Sequence, residues 1–86
     1  MAVPPRNTPL SAEQRRALLV LIKNRHGVIE DLLMLTHGFS RGLIAGLVDE
    51  GLATARREVV TSAGGTTVDV VRIRISDAGR RALEDD

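Results

Sequence analysis

Arginine is the residue type in this sequence best suited to binding something, for Lys23 is the single lysine among twelve basic residues. A guanidinium presents a planar fork of donors that matches phosphate or carboxylate, so the bias points to an anionic partner, although GC-rich coding produces the same composition. The charges are unevenly placed. Residues 1–26 carry Arg6, Arg15, Arg16, Lys23 and Arg25 against Glu13, a net +4. Residues 27–51 carry Arg41 against Glu30, Asp31, Asp49 and Glu50, a net −3. Over residues 52–76, Arg56, Arg57, Arg72 and Arg74 stand against Glu58 and Asp69, a net +2.

Catalytic chemistry finds little support. His26 and His37 are not spaced to share a helix face, there is no cysteine, and no cluster has metal-ligand spacing, so neither a zinc site nor another metal is expected. Ser40 lacks the Gly-x-Ser-x-Gly surroundings of a nucleophile elbow, and no Gly-Lys-Ser or Gly-Lys-Thr phosphate loop occurs. The chain reads as a non-enzyme without a cofactor. Phe39 is its single aromatic residue, so a platform for stacking bases is not expected either.

A chain of 86 residues permits one domain, burying about 60–65% of its unfolded surface in a single small core. The longest uncharged apolar runs, Ala17 to Ile22 and Gly42 to Val48, fall well below the roughly 18 residues that a membrane span needs. No membrane partner is expected. Three prolines and the absence of an apolar stretch make residues 1–10 read as an extended arm rather than a signal peptide, with a cytoplasmic location as the default. A domain over 11–83 and an acidic tail over 84–86 complete the organisation.

The elements that must position the arginines follow from periodicity and caps. Ser11 and Gln14 form a capping box, and Ala17, Leu18, Leu21 and Ile22 follow at helical spacing, predicting a helix from about Ala12 to Arg25. A second helix is expected from about Ile29 to Thr36, with Glu30 and Asp31 in its favourable first turn, ending at Gly38. Ser40 caps a third, striped by Leu43, Ile44, Leu47 and Val48 and closed by Gly51. The period then changes to two: Leu52 to Thr61 and Thr66 to Ser76 read as strands of a hairpin turning at Gly64 and Gly65. A two-residue turn there pairs Val59 with Val70, Arg57 with Arg72 and Ala55 with Arg74, placing Arg57, Arg72 and Arg74 on one face. Ser76 caps a last helix to about Leu83. A short third strand near Gly27 is left open. The inward phase of each element predicts a core of Leu18, Leu21, Ile22, Leu32, Leu35, Ile44, Leu47, Ile73, Ile75 and Leu83.

Gly46 to Ala53 (Gly-Leu-Val-Asp-Glu-Gly-Leu-Ala) resembles the end of the recognition helix in bacterial winged-helix regulators of the MarR and PadR kind. Ile75 to Leu83 (Ile-Ser-Asp-Ala-Gly-Arg-Arg-Ala-Leu) resembles the return of their wing into the next helix. Gly38 takes the turn position, while Met34 stands where the family keeps a small residue. The resemblance implies an α+β winged helix-turn-helix: a three-helix core, a two-stranded β-hairpin wing and a short C-terminal helix. It also implies a DNA-binding transcriptional regulator acting on duplex DNA as a homodimer. Ser40 and Arg41 on helix 3 and Arg57, Arg72 and Arg74 on the wing would then be the DNA-binding residues. The alternative is a winged-helix protein–protein interaction module, for adaptor or dimer contacts, without DNA affinity. Gly42, Ala45 and Gly46 form a smooth strip on helix 3 that such a partner could use.

Overall fold

Ser11 begins the first helix with both halves of its capping box made. Its Oγ accepts the Gln14 amide at 3.0 Å, and its own amide donates to Gln14 Oε1 at 2.9 Å. In the computed structural model, which describes residues 9–85, helix α1 runs over Ala12–Ile22 and stops short of the expected Arg25. The Asn24 side chain takes the Val20 carbonyl at 2.6 Å, and the Asn24 and Gly27 amides close a turn that leads away from the helix axis. Most of the expected N-terminal arm lies outside the described residues.

The chain then enters a two-residue strand, β1 (Val28–Ile29), and passes directly into α2 (Glu30–Leu35). Helix α3 (Arg41–Asp49) is capped by Ser40 Oγ, which accepts the Leu43 amide at 3.1 Å. It ends where the Leu52 and Gly51 amides reach back to Leu47 and Val48 in a Schellman closure around Gly51. Strands β2 (Ala53–Thr61) and β3 (Thr67–Ile75) form the hairpin, and α4 (Asp77–Asp85) follows. Ser76 Oγ accepts the Gly79 amide at the head of α4, which continues through Glu84 and Asp85. Gly79 packs so closely on the Leu52 carbonyl that a Cβ has no place there.

The sheet is antiparallel throughout, in the order β1-β3-β2. The strand left open near Gly27 therefore exists: Val28 pairs with Ile73 and Ile29 with Arg72. On β2 and β3 the odd-numbered residues, with Ala53 and Ile73 buried, face α1, α2 and α3, joined by Val28 of β1 opposite Ile73, and the even-numbered residues form the uncovered face. Thus, among the described residues, four helices and a three-stranded sheet make a small α+β domain. Among the described residues, no helix is long and apolar enough to cross a membrane.

Leu18, Leu21, Ile44, Leu47 and Ile73 are buried as their spacing predicts, and Ile75 and Leu83 pack half-buried against them. Ile22, Leu32 and Leu35 are corrections, because all three are exposed. Ile22 is the last residue of α1, on the shoulder of a face centred on Ala17, Leu18 and Leu21. On α2, Leu33 points inward, leaving Leu32 49% and Leu35 85% exposed. Four consecutive apolar side chains give a six-residue helix no phase of its own, so the β1 pairing that leads into it sets the rotation. Phe39, Leu52, Val28, Ala17 and Ala53 complete the core.

Candidate functional site

The hairpin turn decides which arginines share a surface. The Gly65 amide donates to the Ser62 carbonyl at 2.9 Å and the Ser62 amide to the Thr66 carbonyl at 2.7 Å, with Gly65 at φ +85°. Ala63, Gly64 and Gly65 therefore make a three-residue loop whose last position is left-handed, rather than a two-residue Gly64–Gly65 turn. The pairing shifts by one residue: Arg56 lies opposite Arg72, Arg57 opposite Val71, and Thr54 opposite Arg74. Because side chains alternate, Arg57 passes to the other face of the ribbon and Arg56 takes its place beside Arg72 and Arg74.

Two like charges facing each other across a pair of strands repel, and Glu58 answers this. It lies diagonally across from Arg72, whose Nε donates to Glu58 Oε2 at 2.8 Å, and the two side chains retain 26% and 32% exposure. An Arg72 terminal nitrogen also stands 3.5 Å from the His26 carbonyl. Arg72 is thus held flat on the sheet. Arg56 and Arg74 are exposed, and neither makes an ion pair or hydrogen bond through its side chain among the described residues.

Gly27 brings the loop between α1 and β1 into this arrangement. At φ +85°, a Cβ on it would fall 2.6 Å from Arg74 Cγ, 3.0 Å from Arg72 Cγ and 2.7 Å from the Ile73 carbonyl. Only a glycine admits both that conformation and that approach. The stems of Arg72 and Arg74 consequently bear on the loop backbone, with exposed Arg25 two residues upstream at the same edge.

Ser40 and Arg41 belong to a different part of the molecule, the start of α3 in the helical layer. Ser40 Oγ is occupied as the helix cap. Arg41 is 74% exposed, and its Nε approaches Glu30 Oε1 at 4.0 Å. The rest of the outer side of α3 offers exposed Gly42, Ala45 and Asp49, with Gly46 half-buried. The expected binding residues therefore form two groups: Arg72 and Arg74, joined by Arg56 on the sheet, and Ser40 with Arg41 on α3. Arg57 belongs to neither.

Phe39 is spoken for by packing. It is buried, the Arg16 guanidinium lies 5.4 Å from its ring centroid, and His37 stacks on it at 6.1 Å. Among the described residues no three His, Asp or Glu side chains converge as a metal site would require. Glu58 and Gly27 are the residues of this candidate site that the spacing did not assign to it. The signal for Glu58 was its place two residues from Arg56, on the same side of the strand; the signal for Gly27 was a glycine beside a possible strand. No family model and no curated protein matches the chain.

Proposed function

We propose that the chain is a winged helix-turn-helix module that binds duplex DNA as a cytoplasmic transcriptional regulator. The carrying observation is the alignment of Arg56, Arg72 and Arg74 on the uncovered face of a sheet whose other face supports a three-helix core. The order α1, α2, α3, then a long hairpin and α4 is compatible with what the resemblance implies for this fold, with β1 added to the hairpin as a third strand. In this reading the sheet arginines attach the protein to phosphates, and Ser40 and Arg41 supply such base contact as α3 offers. A lone domain of this size contacts a short stretch of duplex, so two copies on neighbouring half-sites are the working form.

Fluorescence anisotropy with labelled duplexes, alongside sedimentation to count subunits, tests this reading. Binding is expected at about 50 mM salt and should weaken steeply toward about 200 mM as counterions reclaim the phosphates. Absence of duplex binding at the lower salt would overturn it. A second reading, a protein-binding module without DNA affinity, rests on Leu35 and Leu32, exposed on α2, and on the bland outer side of α3. That reading gains if a duplex is not bound.

A further inference from the structure

We infer that the phosphate-binding surface is the uncovered sheet face and that Glu58 sets its strength, by taking Arg72 out of the contact and leaving it to Arg56 and Arg74. The inference rests on the DNA-binding reading and says where and how the charge is delivered. The occupant is a duplex backbone, chosen by charge complementarity. Around Arg56, Arg72 and Arg74 the even-numbered face carries one acid, Glu58, and that acid is already paired with Arg72. The helical segment 27–51, in contrast, carries one arginine against four acids, and that arginine stands beside Glu30. A polyanion meets repulsion there and attraction on the sheet.

The arrangement is more than a set of surface arginines. A Cβ on Gly27 would run into the stems of both Arg72 and Arg74, so the loop backbone lies close beside these side chains where they leave the sheet. Glu58 then divides them. Arg72 is committed to a 2.8 Å ion pair and to the His26 carbonyl, whereas Arg74 and Arg56 keep their guanidinium donors turned to water. Such a surface reads charge and spacing rather than base edges. Glu58 is accordingly a positioning residue, acting on the duplex through Arg72.

Arg56 and Arg57 allow a charge-matched test, since they are neighbours in sequence on opposite faces of the ribbon. Affinity for a fluorescein-labelled random-sequence duplex is measured against salt for the wild type, Arg56→Ala, Arg57→Ala, the Arg56→Ala/Arg74→Ala double variant and Glu58→Gln, with circular dichroism confirming the fold of each. Each lost contact should make the log–log salt slope shallower by about 0.9, so Arg56→Ala should lose about one unit and the double variant about two. Arg57→Ala, removing the same charge from the other face, should leave the slope within error. Glu58→Gln, which releases Arg72, should steepen it by about one unit. Arg56→Lys should recover the slope lost in Arg56→Ala, because a point charge serves a phosphate.

Equal effects of Arg56→Ala and Arg57→Ala would overturn the assignment of the face while leaving DNA binding intact. An unchanged slope in Glu58→Gln would overturn its role. Failure of the wild type to bind any duplex would instead remove the DNA-binding reading, and this inference with it.

Discussion

Leu33 and Leu35 stand two positions apart on α2 and meet opposite surroundings: the first is among the most completely buried side chains, the second is 85% exposed. Truncating a buried leucine costs its transfer free energy and leaves a cavity as well, so Leu33→Ala should lower stability by about 2–5 kcal/mol. Leu35→Ala removes methyl groups already in water and should change stability by no more than about 0.5 kcal/mol. Urea unfolding of the two variants checks the pair, and equal losses would contradict the observed rotation of α2. Legibility in the sequence follows the same division. Leu18, Leu21, Ile44 and Leu47 lie on helices long enough to display a face, and their burial could be read from spacing alone. In α2, six residues with four consecutive apolar side chains carry no such information. What decides there is the pairing of β1 with β3, across more than forty residues of sequence.

Among the elements, the β2–β3 hairpin shows how one residue in a turn redistributes the side chains of a candidate surface. The strands themselves were evident from alternation, and so was the glycine turn, but Ala63-Gly64-Gly65 satisfies both a two-residue and a three-residue loop. Only the hydrogen bonds of Ser62 distinguish the two. Gly65 sits at φ +85°, whereas Gly64 shows no such φ and has open space around its Cβ position. Gly64→Ala should therefore be tolerated, or stabilise by about 0.4–1 kcal/mol through reduced freedom of the unfolded chain. Gly65→Ala should destabilise by about 1–2 kcal/mol, since it forces an L-residue into the left-handed region. Thermal unfolding of the two variants measures the contrast, and a reversed order would restore the two-residue turn. The candidate site was half legible for the same reason: Arg72 and Arg74 could be placed on the outer face from the alternation of Val71, Ile73 and Ile75. Their partner across the sheet depended on the register.

Viewed whole, the molecule measures 50 × 28 × 21 Å and carries a long hairpin. Nine-residue strands reach about 30 Å, while β1 covers β3 at Arg72 and Ile73 only. The stretch from Val59 to Val70 is thus a two-stranded ribbon extending past the sheet's third strand. A ribbon of that kind has little independent stability in water. Amide hydrogens from Val59 to Val70 should exchange well ahead of those at Ile73 and Leu47, which open only with the core. Exchange followed by mass spectrometry or NMR resolves this, and uniform protection along β3 would contradict it.

The outer edge of β2 has a further consequence, since among the described residues no strand pairs with it. An unpaired edge invites another chain to add a strand, and the usual defence is charge on the edge. Arg56, Arg57 and Glu58 place three charges at the middle of β2, while Val59, Val60 and Thr61 carry none toward its tip. Concentrated protein at salt high enough to screen those charges is consequently where strand-to-strand aggregation should begin, from the tip inward, so the three charges at the middle of β2 keep one copy of the chain from zipping onto the next.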